Sequence, residues 1–129
     1  MLEKEILKSC KHRLDYWQMQ KVCVWWDRLN SGKMQFEGRY VQFCKPGTPD
    51  LVAYLAVGNK CHVCFFECKK DEKAEWSKEQ KSFYEKFRDF ENVHYQIITN
   101  PNQIDRIIEI ITNHNEKQLE LMDKYMGGL

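Results

Sequence analysis

The sequence lacks any apolar stretch that approaches the ~20 residues of a membrane-spanning helix. Its first residues, MLEKEILKSCKHR, contain no apolar core of the kind that a secretory signal peptide has. Internal repeats and low-complexity segments are also absent. These absences argue against secretion and against a membrane partner, so we expect a protein that acts inside the cell.

A large excess of positive charge is absent as well. The 20 lysines and arginines are nearly balanced by 19 acids, which leaves a net charge of +1. Proteins that hold nucleic acid by bulk electrostatics are usually far more basic. Any contact with phosphate must therefore come from local basic residues, such as Arg39, Lys45 and Lys69-Lys70, or from a bound metal ion.

The chain has six cysteines, but without a sign of secretion we expect reduced thiols rather than a disulfide framework. The spacing of Cys61 and Cys64 resembles half of a zinc site. On a strand these two side chains would point to opposite faces. We therefore predict buried structural thiols here, because a free cysteine behaves as a small apolar residue.

Length and composition predict one folded domain over residues 1–129, since 43% of the residues are hydrophobic and 30% are charged. Its core would span about residues 2–111. Residues 112–129 would form a C-terminal helical extension, because Leu119, Met122 and Met126 recur at helical spacing. The extension could form a dimer contact, but packing back on the domain is the simpler interpretation.

Hydrophobic periodicity and turn residues predict eight elements in the order αββββαβα, which is typical of a mixed α/β fold. A turn is expected at Asn30-Ser31-Gly32, and Ser77 with Gln80 fits a capping box. The predicted ranges are a helix over 2–18, strands over 21–29, 38–44, 51–57 and 60–66, a helix over 77–90, a strand over 93–99, and a helix from 101 to as far as 125.

A predicted β-hairpin places two acids opposite each other. Gly58-Asn59 separates two apolar runs and indicates a two-residue turn that pairs Val57 with Lys60. Counting back along both strands sets Asp50 opposite Glu67, and like charges in such a pair repel. We expect a divalent cation between them, with Lys69 on the same face.

This constellation suits metal-assisted hydrolysis of a phosphodiester bond. A bound metal polarises a phosphoryl oxygen and lowers the pKa of a water molecule, while Lys69 could orient that water or neutralise developing charge. With one acid from the first helix the charge is −3, and Lys69 brings it to −2, which one divalent cation balances. Taken alone, Pro49-Asp50 or the pair Glu67 and Lys69 would more simply be solvated residues at strand ends. Their shared hairpin register favours a metal site.

Pro49-Asp50 followed by Glu67-Cys68-Lys69 resembles the PD-(D/E)XK nuclease signature. The surrounding sequence is similar to one branch of that superfamily, the virus-type replication-repair nuclease (VRR-NUC) domains, over about residues 2–111. The similar segments are Glu3-Lys4-Glu5-Ile6, Trp26-Asp27-Arg28-Leu29-Asn30-Ser31-Gly32, Gly38-Arg39-Tyr40-Val41-Gln42-Phe43, Pro46-Gly47-Thr48-Pro49-Asp50-Leu51, Phe66-Glu67-Cys68-Lys69, Ser77-Lys78-Glu79-Gln80 and Tyr95-Gln96-Ile97-Ile98.

The resemblance implies a restriction-endonuclease-like α/β core with a central mixed sheet flanked by helices. It also implies a Mg²⁺- or Mn²⁺-dependent DNA endonuclease, structure-specific for branched DNA such as Holliday junctions and active as a homodimer. The family ligands would be Asp50, Glu67, the main-chain carbonyl of Cys68 and a first-helix acid, which is Glu3 or, as a fallback, Glu5. Lys69 would be the catalytic lysine. We expect the protein to act in the cytoplasm of a bacterial or phage-infected cell, or in a nucleus.

Gln80 matches the helix glutamine that lies near the site in this family, and Tyr84 follows one turn later, as in the Gln-x-x-x-Tyr element of related exonucleases. Both could instead be ordinary helix surface. DNA contacts are expected from Arg39, Lys45, Lys70, Trp76 and Tyr84. Two other functions stay open: a catalytically inactive nuclease fold that binds DNA, and a sequence-specific restriction-type endonuclease.

Overall fold

The computed structural model describes residues 1–29, 33–42 and 44–113. The elements are α1 (Glu3–Met19), β1 (Cys23–Arg28), β2 (Lys33–Phe36), β3 (Arg39–Gln42), β4 (Leu51–Val57), β5 (Lys60–Cys68), α2 (Lys78–Phe87), β6 (Val93–Ile98) and α3 (Asn102–Asn113). The expected turn at 30–32, Phe43 and the extension beyond residue 113 lie outside the described residues. None of the described helices combines the length and the apolar character that crossing a membrane requires.

The central sheet has the strand order β1-β4-β5-β6. Its first three strands are antiparallel, and β6 joins β5 in parallel, so the sheet is mixed. The hairpin pairs Val57 with Lys60 and Leu51 with Phe66, which confirms the predicted register. One step further along this register, Asp50 faces Glu67.

Helices cover both faces of the two central strands, as strands that are apolar on both sides require. The face with α1 and α3 carries the main core, whose residues include Ile6, Leu14, Leu51, Leu55, Phe66, Ile98, Ile104 and Ile108. On the opposite face α2 packs through Phe83 and Phe87, whose ring centroids lie 5.0 and 5.2 Å from that of Phe65. The sheet face that carries Glu67 is therefore the face beneath α2.

The predicted element order is wrong in one place, because five strands rather than four precede α2. β2 and β3 form a separate two-stranded sheet, and Phe36 pairs with Arg39. Between them Glu37 and Gly38 both have positive φ, at 49° and 77°, which is typical of a type I′ hairpin turn. The sequence had placed Gly38 at the start of a strand over 38–44. In the structure Gly38 belongs to the turn, and β3 begins at Arg39. β2 alternates polar and apolar residues over Lys33–Phe36, so the sequence did contain a short signal for this strand.

The helix starts follow their capping residues. Ser77 Oγ accepts the main-chain N–H of Gln80 at 3.0 Å, which confirms the predicted capping box. Asn100 Oδ1 accepts the N–H of Asn102 at 3.0 Å at the start of α3. The predicted end of this helix at residue 90 is wrong. The helix stops at Phe87, and Phe90 lies beyond it with its side chain exposed.

Where the structure describes them, the cysteines follow the predictions except at Cys61, which was expected to be buried but is exposed because it lies beside the hairpin turn, one residue after the start of β5. Cys61 is exposed and Cys64 is buried, so the two thiols lie on opposite faces of β5. Cys10, Cys23, Cys61, Cys64 and Cys68 carry free thiols. Burial raises the pKa of Cys23 to about 11, so this thiol stays protonated at neutral pH.

Candidate metal and catalytic site

Three carboxylates meet at one end of the central sheet. Glu3 begins α1, Asp50 directly precedes β4, and Glu67 lies one residue before the end of β5. One oxygen of each lies within 4.8 Å of an oxygen of the others. Glu5, the alternative first-helix acid, instead accepts the N–H of Leu2 at 2.9 Å through Oε2. The structure thus brings Glu3, rather than Glu5, to the two hairpin acids.

Asp50 is held in place by groups on two neighbouring strands. Its Oδ2 accepts the main-chain N–H of Cys68 at 2.8 Å, across the hairpin. Arg28 lies at the end of β1, and its Nη1 is 3.4 Å from Asp50 Oδ1 and 3.1 Å from the Asp50 main-chain oxygen. Leu29 N–H also donates to that main-chain oxygen, at 2.8 Å. The carboxylate is therefore fixed before any ligand arrives.

Arg28 was missed by sequence reasoning. Its neighbour Asp27 and the loop that follows gave no sign that the arginine would reach the hairpin. The contact depends on the pairing of β1 with β4, in which Arg28 lies opposite Leu51. No local pattern in the sequence specifies that register, so the charge count of −2 left out one positive charge.

Glu67 is the most strongly perturbed acid of the site. Only 5% of the residue is exposed, and its Oε2 is buried without a hydrogen-bond partner among the described residues. Burial, followed by the charge of Asp50, raises the pKa of Glu67 to about 8, although Lys69 acts in the opposite direction. In the absence of a cation this carboxyl group therefore holds a proton near neutral pH.

Gln80 links the lysine to the buried acid. Lys69 Nζ donates to Gln80 Oε1 at 3.1 Å, and Gln80 Nε2 donates to Glu67 Oε1 at 3.2 Å. Gln80 Oε1 also accepts the main-chain N–H of Ser77 at 2.9 Å. These partners fix the orientation of the amide, and they place the first turn of α2 directly over the acid and the lysine.

Cys68 can contribute only its main chain to the site. Its side chain is fully buried in the core on the face of α1. A hydrogen bond with Cys10, together with burial, raises the pKa of the Cys68 thiol far above its usual range. The thiol thus remains protonated and is not available as a ligand.

Neither a protein-family sequence model nor a curated protein matches the chain. Its fold, however, is similar to a solved structure of a "VRR_NUC domain", with a TM-score of 0.53 and 24% sequence identity. The match covers 83% of this chain and 94% of that one. The chain has the VRR-NUC fold. This confirms the resemblance, and with it the expected mixed sheet flanked by helices, at the level of the fold.

Within this VRR-NUC fold, the three acids fit a divalent cation. Oxygen ligands suit Mg²⁺ and Mn²⁺, and the unpartnered Glu67 Oε2 is a buried acceptor that a cation would satisfy. With Glu67 protonated, the charges of Glu3 and Asp50 are balanced by those of Lys69 and Arg28. A cation would then replace the proton on Glu67.

The residues predicted to contact DNA are spread over the VRR-NUC fold. Lys45 and Lys70 are exposed, one in the loop before Asp50 and the other just after β5. Arg39 is exposed on the separate β2–β3 sheet. The rings of Trp76 and Tyr84 are half-buried and pack against each other and against Tyr95. Packing alone therefore explains the positions of Trp76 and Tyr84. DNA contact remains a prediction for all five residues.

Proposed function

We propose that this protein is a Mg²⁺- or Mn²⁺-dependent DNA endonuclease that hydrolyses phosphodiester bonds. The observation that carries the proposal is the cluster of Glu3, Asp50 and Glu67, with their oxygens within 4.8 Å of one another. Lys69 and Gln80 lie directly beside this cluster. The similar fold of a "VRR_NUC domain" supports the same chemistry.

The side chains of Glu3, Asp50 and Glu67 and the main-chain carbonyl of Cys68 would hold the cation. When bound, a divalent cation polarises a phosphoryl oxygen and lowers the pKa of a water molecule. Asp50 needs no rearrangement for this role, since Cys68 N–H and Arg28 already fix it. Glu67 must release its proton, so binding is coupled to pH.

Lys69 would act on the phosphate itself. Its ammonium is held by Gln80 at 3.1 Å, and a positioned cation stabilises the negative charge that develops as the phosphodiester is attacked. Gln80 also donates to Glu67 at 3.2 Å. A single amide therefore keeps the lysine and the acid at a fixed separation without neutralising either of them.

The substrate class is a further part of the proposal. We infer branched or otherwise structured DNA, cut by a homodimer, because a symmetric junction needs two cuts and a two-fold dimer supplies two sites. The described residues form one sheet, its flanking helices and a short hairpin, with no separate unit for reading a base sequence. Arg39, Lys45, Lys70, Trp76 and Tyr84 would contact the DNA, with the lysines and the arginine at its phosphates.

The acid pair Glu3 and Glu5 allows a matched experiment. We would compare Glu3→Gln with Glu5→Gln on labelled four-way junctions, flaps, linear duplexes and single strands in Mg²⁺. Glu3→Gln should lower cleavage at least about tenfold, because it removes one of the site's carboxylates. Glu5→Gln should cleave as the unaltered protein does, because Glu5 lies outside the acid cluster and accepts the N–H of Leu2 at the start of α1.

The same substrates separate the other two functions. Cleavage of linear duplex at one base sequence would indicate a restriction-type enzyme. Tight, salt-dependent binding of junctions without cleavage in Mg²⁺ or Mn²⁺ would indicate an inactive binding module. Equal loss of activity in both glutamine variants would show that Glu3 does not act through the acid cluster.

A further inference from the structure

The loop that leads to Asp50 contains a turn with a strict conformational requirement. Thr48 donates from its N–H and from its hydroxyl to the Lys45 main-chain oxygen, at 3.2 and 2.7 Å. Pro46 and Gly47 are the central residues, and Gly47 has a φ of 91°. Proline followed by a residue of positive φ is typical of a type II turn. Gly47 is therefore suited to this position by its backbone conformation.

A second requirement at Gly47 comes from α2. A Cβ atom at this position would lie 2.3 Å from the Glu79 main-chain oxygen and 2.4 Å from its carbonyl carbon. Ordinary van der Waals contact begins at 3.4 Å. Because the obstacle is helix backbone, no side-chain rotation can relieve it. The loop and the first turn of α2 are packed as closely as a glycine permits.

This contact joins the two halves of the candidate site. On one side, Gly47 leads through the buried Pro49 to Asp50. On the other, Glu79 directly precedes Gln80, which holds Lys69 and Glu67. We propose that Gly47 is a positioning residue that sets the separation between Asp50 and the Gln80 amide. This inference rests on the proposed nuclease function for its catalytic meaning, but not for its geometry.

Replacing Gly47 with alanine must increase the separation between the loop and α2 by about 1 Å. Both sides resist the movement, since the Asp50 main chain is bonded to Leu29 and α2 is packed on Phe65. If α2 yields, the Gln80 bonds to Lys69 and Glu67, now 3.1 and 3.2 Å long, lose their geometry. If the loop yields, Asp50 moves relative to Gln80, and the 2.8 Å hydrogen bond that its Oδ2 accepts from the Cys68 N–H is disturbed. A misplacement of about 1 Å can lower a catalytic rate about 100-fold.

Gly58 offers a matched control. It also has a positive φ, of 63°, but a Cβ there meets nothing within 4 Å. Gly47→Ala and Gly58→Ala should both lower Tm, by roughly 3–10 °C, because each forces a side chain into the left-handed region. Only Gly47→Ala adds the clash with α2. Any difference between the variants beyond stability therefore reports on the contact with Glu79.

Three measurements test the proposal on both variants at a temperature where each is folded. These are the single-turnover cleavage rate in Mg²⁺, junction affinity in Ca²⁺, and the NMR signals of the Gln80 side-chain amide, assigned with Gln80→Asn, and of the Cys68 main-chain amide, which donates to Asp50. For Gly47→Ala we expect a rate lower by about 10- to 100-fold, an affinity within twofold, and displaced signals of the Gln80 amide, the Cys68 amide or both. Gly58→Ala should match the unaltered protein in all three.

The inference is overturned if the Gln80 and Cys68 amide signals of Gly47→Ala both coincide with those of the unaltered protein, or if its cleavage rate equals that of Gly58→Ala. The proposed function fails separately. If the unaltered protein cuts no DNA while the Gln80 or Cys68 signals still move in Gly47→Ala alone, the nuclease assignment is wrong and the positioning contact stands. The NMR measurement needs no activity, so it keeps the two outcomes apart.

Discussion

The buried Glu67 should make the stability of the metal-free protein fall as pH rises. Its pKa is raised from 4.5 to about 8, so the folded chain binds this proton more tightly than the unfolded chain does. The stabilisation that this proton gives to the folded state is fully present below about pH 4.5 and is lost as pH rises through about 8. At about 1.4 kcal/mol per pKa unit, the loss is of the order of 5 kcal/mol.

Glu67→Gln isolates this effect, because glutamine fills the same space and does not titrate. We would measure urea unfolding of both proteins in EDTA at pH 5 to 9. The two should have similar free energies of unfolding near pH 5, and the variant should become the more stable as pH rises, by several kcal/mol at pH 9. Other titrating groups, including His94, are common to both proteins and cancel in the difference.

Mg²⁺ binding should displace the same Glu67 proton, so the affinity for the metal should depend on pH. Below about pH 8, the affinity for Mg²⁺ should fall roughly tenfold per pH unit, because each ion must displace the Glu67 proton. Calorimetry in buffers of different ionisation enthalpy should count close to one proton released at pH 7. If the unaltered protein and Glu67→Gln have parallel curves of unfolding free energy against pH, Glu67 does not have a raised pKa. Mg²⁺ binding that is independent of pH between 6 and 8 would show the same.

The other predictions concern neighbouring groups. Arg28→Gln should strengthen Mg²⁺ binding severalfold, since it removes a positive charge 3.4 Å from Asp50; a weaker metal-induced rise in Tm would contradict this. Gln80→Ala should lower the cleavage rate about 10- to 100-fold with little change in junction affinity, because it releases both Lys69 and Glu67. Burial lowers the pKa of His94 from 6.5 to about 4, so its contribution to stability should be lost as pH falls through that range; urea unfolding of His94→Gln should show a flatter acid limb.

The hairpin and its acids could be predicted because their geometry is local. A two-residue turn at Gly58-Asn59 fixes the register of both strands, and the register fixes which residues face each other. The helix starts at Ser77 and Asn100 were readable for the same reason, since each depends on a few adjacent residues. The family resemblance then added Glu3, which no local pattern connects to the hairpin.

The missed features depend on contacts between distant segments. Arg28 reaches Asp50 only through the pairing of β1 with β4. The close approach of Gly47 to Glu79 depends on how α2 lies over the sheet. The shifted pKa of Glu67 follows from its burial beneath α2, and composition gives no measure of that. β2 was missed for a different reason, because its alternation of polar and apolar residues covers only four residues, the minimum for a strand signal, whereas the run that predicted β3 extended from 38 to 44.

DNA cleavage by this protein should require a divalent cation held by the three-carboxylate cluster. The most direct measurement is cleavage of a labelled four-way junction by protein stripped with EDTA and then titrated with Mg²⁺, alongside Asp50→Asn. We predict no cleavage in EDTA, saturable recovery with Mg²⁺ in the unaltered protein, and none in the folded variant. Cleavage that persists in EDTA, or equal recovery in Asp50→Asn, would show that the cluster does not hold a catalytic cation.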